Sequence, residues 1–328
     1  MLIVRRSHAF RYMVSRAVLA VTIGAGAFAL SALPTTSPAG AVGAKAVSHL
    51  SVAGGGYWLA GSDGGVFAFG DAPFAGSLPS IGVHVNDIVG LVPTADRGGY
   101  WELGADGGVF AFGDASYFGS LPGLGVPVSD IVGMAPTPDL LNGATAGQGY
   151  WLVASDGAVY AFGDARNDGG LPGHGVHVSN IVAIVPHGTA QDPGLGYWLV
   201  GSDGGVFAFG DALFEGSVPA LGIHVHNVVD MMPSPKQVDL GGGSVQGYWL
   251  VGSDGGVYAF GNSSFDGSLP GLGVKITSIV GMAPSPTGSG YWLAGSDGGV
   301  FAFGDAAFYG SLPALGVKVA NIVAFASS

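Results

Sequence analysis

Six copies of one phrase run through the chain: a Tyr-Trp pair, a short apolar stretch, an Asp-Gly step, then a strand-like run such as Val66-Phe67-Ala68-Phe69-Gly70-Asp71. The pairs fall at Tyr57/Trp58, Tyr100/Trp101, Tyr150/Trp151, Tyr197/Trp198, Tyr248/Trp249 and Tyr291/Trp292, at spacings of 43, 50, 47, 51 and 43 residues, and they use all 6 tryptophans. A unit of that length cannot bury both of its faces alone. Copies must therefore stack on one another, as in propellers and solenoids.

One repeat, residues 276–319, reads as four strands. Residues 279–283 form a compact apolar strand closed by Pro284, and 291–295 a second strand led by Tyr291 and Trp292. Asp297-Gly298 supplies the positive φ values of a tight hairpin into a third strand, 300–304. Residues 308–312 give a fourth, outer strand. Side chains alternate across a strand, so Tyr291 and Trp292 face different neighbours, and both faces require burial. The expected fold is all-β: a six-bladed β-propeller of four-stranded antiparallel blades. The C-terminal segment Asn321-Ile322-Val323-Ala324-Phe325-Ala326 repeats the first-strand motif with no blade after it, so it is expected to join the Tyr57-Trp58-Leu59 strand. Residues 48–53 are the rival for that place.

Ahead of the repeats, Arg5, Arg6, Arg11 and Arg16 precede an apolar run over 17–33 that Pro34 ends, followed by the small-x-small sequence Ala39-Gly40-Ala41. This is the pattern of an export signal. The expected organisation is a signal peptide over 1–41, cut after Ala41 (or after Ala44), then a single propeller domain of six repeats over 42–328; a retained anchor is the alternative. Past residue 41 the chain carries 6 basic and 22 acidic residues, a formal charge of −16. That excludes a nucleic-acid partner, which needs clustered cations, and disfavours an anionic membrane surface. With 0 cysteines, thiolate metal sites and thiol redox chemistry are excluded.

Candidate chemistry is sought where copies differ. The paired aspartates Asp63 and Asp71, repeated at 106/114, 156/164, 203/211 and 297/305, are separated by a strand and read as turn and strand-end residues. Glu102 stands where other copies carry Leu59, Leu152, Leu199, Leu250 and Leu293, and Asp230 where they carry Gly90, Gly133 and Gly281. A carboxyl group in such a strand must be paired, hydrated or shifted in pKa, which makes Glu102 and Asp230 the weak catalytic candidates. In the third copy Asn167 replaces the aromatic found at Phe74, Tyr117, Phe214, Phe265 and Phe308, which reads as a lost outer-edge anchor. His224-Val225-His226, with His84 and His177 at positions matching His224, falls short of the converging ligands a metal needs. No metal and no cofactor is expected. The connections 137–149, 187–196 and 234–247 are longer than 94–99 and 285–290 and are expected to form one raised sector. Its candidate binding residues are Asp139, Asn142, His187, Gln191, Asp192, Lys236 and Asp239.

The stretch Asp254-Gly255-Gly256-Val257-Tyr258-Ala259-Phe260-Gly261-Asn262, with Phe265, Gly267 and Leu269, resembles the repeat of the regulator of chromosome condensation family, shared by secreted β-lactamase inhibitor propellers. The likeness spans residues 46–328 and implies a propeller that binds proteins without catalysis. Phe where that family has Trp, Tyr-Trp in place of its His-containing strand, and six units rather than seven are departures. The Gly-Tyr-Trp-Leu-Val runs at 149–153, 196–200 and 247–251 also resemble repeats of actinobacterial exported proteins, which implies an envelope setting. The expectation is a secreted or wall-associated, non-catalytic protein binding an extracellular protein or cell-wall glycan. The alternative is a propeller hydrolase acting on polysaccharide through Glu102 and Asp230.

Overall fold

The computed structural model describes residues 55–137, 148–187, 196–239 and 244–328. The signal expected over 1–41 and the rival strand at 48–53 lie outside them. The rest is all-β: six antiparallel sheets of three strands each. Sheet one combines Ile322–Ser327 with Gly56–Gly61 and Val66–Gly70; sheet two is Ile88–Pro93, Tyr100–Gly104 and Val109–Phe112; sheet three is Ile131–Pro136, Gly149–Ala154 and Val159–Gly163. Sheet four is Ile181–Pro186, Tyr197–Gly201 and Val206–Phe209; sheet five is Val228–Asp239, Ser244–Gly252 and Val257–Phe260; sheet six is Ile279–Pro284, Gly290–Gly295 and Val300–Gly304. In each, the Tyr-Trp strand lies in the middle.

The first strand of every sheet packs beside the first strands of two others, in the order one to six and then six to one. Sheet one enters this order through the C-terminal strand, whose Ala326 and Phe325 pair with Trp58 and Leu59. The backbone repeats the linkage from sheet to sheet: the N–H of Ile88 donates to the carbonyl of Ser62 at 3.1 Å, and that of Ile322 to Ser296 at 3.1 Å.

The Tyr-Trp pair explains why neighbouring sheets adhere. Adjacent residues of a strand point to opposite faces, so each tyrosine meets the preceding sheet and each tryptophan the following one. Ring centroids of Trp58 and Tyr100 lie 5.9 Å apart, those of Trp151 and Tyr197 5.3 Å, and those of Trp292 and Tyr57 5.8 Å. All twelve rings are buried. Each contributes roughly 2–3 kcal/mol through burial, and edge contacts add to that. Their polar tips are satisfied: the Tyr150 hydroxyl donates to the Gly119 carbonyl of the preceding repeat at 2.5 Å, and the Trp292 indole N–H to the Ala307 carbonyl at 2.7 Å. Burial pushes the Tyr57, Tyr100, Tyr150, Tyr197 and Tyr248 phenols up to about 12.

These same bonds correct the expected fourth strand. Residues 308–312 are irregular and lead into a short 3-10 turn, Pro313–Leu315. Their backbone is engaged by side chains of neighbours instead of a ladder: Tyr57 takes the Gly310 carbonyl and receives the Tyr309 N–H, while Trp292 holds the Ala307 carbonyl. The sheets are therefore three-stranded. The Asp-Gly hairpins form as expected. Gly298 sits at φ +74, and a Cβ there would come within 2.5 Å of Leu312, so the turn needs glycine both for its dihedral and for the packing beneath it.

Candidate functional site

The connections from first to middle strand are braced by a repeated contact. The residue after the strand's terminal proline is Thr94, Thr137, Ser234 or Ser285 in four sheets, and Ser328 holds the equivalent place in sheet one. Thr94, Thr137, Ser285 and Ser328 donate their hydroxyls to Asp114, Asp164, Asp305 and Asp71 at 3.1, 2.9, 2.6 and 3.0 Å. Each aspartate lies just past the end of the third strand of its sheet. The Ser285 and Thr287 hydroxyls hold the Asp305 carboxyl below its ordinary range. The other aspartate of each repeat sits at the far end of that strand, where Asp297 accepts the Gly299 N–H at 2.8 Å inside the hairpin. The paired aspartates are thus turn and strand-end braces, as their spacing predicts.

Sheets four and five depart from this rule: in sheet five Asn262 replaces the aspartate and the Ser234 hydroxyl accepts the Lys236 N–H at 3.2 Å, and in sheet four the residue is His187. It replaces the hydroxyl, stands edge-on to Trp198 at 5.0 Å, and places Nδ1 3.4 Å from the Asp211 carboxylate. It is buried, whereas Asp211 is exposed. The imidazole thus packs on the tryptophan in place of the hydroxyl contact made in sheets one, two, three and six.

Of the expected binding residues, Asp139, Asn142, Gln191 and Asp192 lie outside the described residues. Asp239 is on the strand Val228–Asp239, opposite Ser244. Lys236 reaches across to sheet six and donates to the Ser289 hydroxyl at 2.8 Å, while its carbonyl accepts from the Asn262 amide at 2.9 Å. The connection 234–247, expected as a loop, is largely a continuation of the sheet: Gln237, Val238 and Asp239 pair with Gln246, Val245 and Ser244 after an irregularity past Pro233. The sequence there carries Pro235, and its Gly241-Gly242-Gly243 run suits a solvated loop as well as a turn, so its strand character was not legible. Buried Gln246 donates to the Ser234 carbonyl at 3.0 Å and anchors the base of this extension.

The two acids are not brought together. Glu102 lies on the middle strand of sheet two, opposite Leu91 and Phe110, fully buried, with neither carboxylate oxygen hydrogen-bonded. Burial, reinforced by the Asp63 charge, pushes its pKa up to about 8. Asp230 lies on the first strand of sheet five, three steps away in the order of sheets. Its oxygens accept the Met231 N–H at 2.8 Å and the Met282 N–H of sheet six at 3.1 Å. Burial pushes its pKa up to about 7 against those two bonds. Asp230 therefore bridges the first strands of two sheets, and Glu102 is a carboxyl group in an apolar position.

The expected outer-edge anchors are solvent-facing instead: Phe74, Tyr117, Phe214, Phe265 and Phe308 are 54–59% exposed. Asn167 at the matching place has therefore lost no packing; its carbonyl oxygen accepts the Gly169 N–H at 2.9 Å, and its neighbour Arg166 pairs with Asp168 at 2.6 Å. An aromatic recurring in register carries the pattern of core, but here the segment is held through its backbone and the rings stay at the surface. His84, His177, His224 and His226 are exposed, and no group of three or more His, Asp or Glu among the described residues is arranged to hold a metal. No helix among them is long and apolar enough to cross a membrane. Compared with known proteins, the chain matches no family model and no curated relative.

Proposed function

We propose that the chain is an exported six-bladed β-propeller with three-stranded blades, which binds a protein or glycan of the cell envelope without catalysing a reaction on it. The cyclic order of the six first strands, with the C-terminal strand seated in sheet one, supports the propeller. The repeat resembles that of the regulator of chromosome condensation family, and the basic, apolar, small-x-small start of the chain supports export.

The observation that carries the binding reading is the extended hairpin of sheet five. It prolongs two strands beyond the length used by the other sheets, and Lys236 and Gln246 tie its base to the scaffold. A rigid platform presenting one elongated element is a binding arrangement. The non-catalytic part rests on Glu102 and Asp230, which occupy different sheets with different partners.

Cosedimentation of the purified protein with isolated actinobacterial envelopes tests this. Replacing only 237–245 by a short turn, with Ser234, Lys236 and Gln246 kept, should lower the thermal midpoint only slightly, since the contacts that tie the extension to sheet six and to its own base remain, and should weaken envelope binding at least about tenfold, equivalent to 1.4 kcal/mol. A shortened protein that folds and binds as the parent does would overturn the assignment of binding to this face.

A further inference from the structure

We propose a pair of equivalent saccharide sites at the hairpin-turn ends of sheets five and six, each taking one sugar ring that bears a carboxylate. The proposal rests on the reading of the chain as a binding scaffold and places a second contact surface away from the sheet-five hairpin.

Two hollows of about 250 Å³ each occur at matching places one repeat apart. Asp254, Pro270, Val274, Lys275 and Ile276 line the first, and Asp297, Pro313, Val317, Lys318 and Val319 line the second. Their size lies below the roughly 300–1,000 Å³ typical of drug-sized ligands, so each fits a single ring. The chemistry is threefold. Proline and the β-branched side chains give an apolar floor for the C–H face of a sugar. An aspartate in the lining, its Oδ1 held by the Gly256 or Gly299 N–H at 2.9 and 2.8 Å, accepts from ring hydroxyls. An exposed lysine, also in the lining, binds a carboxylate.

These lysines are otherwise unused. Arg166 is paired with Asp168, and Lys236 with Ser289, but neither Lys275 nor Lys318 has an ion-pair or hydrogen-bond partner among the described residues. The same position after the 3-10 turn carries His84, His177 and His224 in sheets one, three and four, all exposed, and only sheet two breaks the series, with Pro127. Five consecutive sheets thus present a side chain able to carry positive charge, on a chain whose formal charge is −12. Repulsion from acids beyond about 8 Å is screened at physiological salt, so within each hollow the ammonium is opposed by a single carboxylate, that of the aspartate already engaged by a backbone N–H. A polyphosphate would use the lysines but neither the aspartates nor the apolar floor, so the favoured occupant is an acidic polysaccharide lying across both hollows.

Calorimetric titration of the full chain with galacturonate oligomers of defined length tests this. Once the oligomer spans both hollows, affinity should rise at least about tenfold over the monomer, at the low end of what linked sites give. Lys275→Gln or Lys318→Gln alone should abolish that gain without changing the thermal midpoint, and methyl-esterified oligomers should bind at least about tenfold more weakly. Lysine variants that bind as the parent does, or equal binding of esterified oligomers or of polyphosphate, would overturn the proposal. A parent that binds envelopes but no galacturonate overturns these sites and leaves the broader reading standing; one that binds neither overturns both.

Discussion

Deleting residues 322–328 should lower the stability of the folded chain by several kcal/mol and shift its denaturant midpoint accordingly. The segment supplies a whole strand of sheet one. Ile322, Ala324, Phe325 and Ala326 are buried, and the Phe325 ring lies 5.3 Å from that of Tyr57. Burying such apolar side chains is worth roughly 1.5–3 kcal/mol for each large one, set against the entropy of ordering the strand. Loss of the strand also removes the Ile322 bond to Ser296 and the Ser328 hydroxyl on Asp71, and leaves the edge of Gly56–Gly61 unpaired. Where truncation prevents folding altogether, Phe325→Ala provides the measurable variant, with an expected cost of about 3–5 kcal/mol. A midpoint unchanged by both would show that this strand does not hold sheet one together.

Glu102→Leu should act in the opposite sense and stabilise the protein. The carboxyl is fully buried without a hydrogen bond, and its pKa in the fold is about 8 against an ordinary 4.5. Between those values the folded state holds a proton that the unfolded chain has released, so stability is highest below the unfolded pKa and falls as pH rises through the folded one. The span corresponds to roughly 3–5 kcal/mol lost between about pH 5 and about pH 9. Asp230, with its pKa near 7, contributes in the same direction but levels off earlier. Leucine at 102 should remove the part of the decline that runs furthest into alkali and bring sheet two into line with the other five. Glutamine should flatten the same part while gaining less at neutral pH, because an unbonded amide is still buried. Urea midpoints of the three proteins across this range check it; parallel curves would mean that Glu102 is solvated in the fold.

The repeat was legible because its residues have one role six times over. Tyr57 and Trp58 could be assigned to opposite neighbours from alternation alone, and Asp63-Gly64 to a hairpin from its turn chemistry. The C-terminal strand was legible as a first strand lacking a blade. The fourth strand was misread because residues such as Phe308 and Leu312 carry strand propensity, while the bonds that keep the segment irregular come from Tyr57, distant in sequence. The same limit applies at the candidate site. Asp230 stood out as an acid among glycines, but its bond to Met282 depends on which sheet lies beside it. Lys275 and Lys318 drew no notice, since a lone lysine in each of two copies acquires meaning only when the hollows beside them are seen.

Binding without turnover is the central claim, and parallel assays on one envelope preparation test it most directly. The parent and a Glu102→Leu/Asp230→Gly variant are incubated with isolated envelopes, and bound protein and released soluble fragments are measured together. Both proteins should be retained equally, and neither should release fragments above the protein-free control. Fragment release by the parent that disappears in the variant, with retention unchanged, would contradict it and make the two carboxyl groups catalytic.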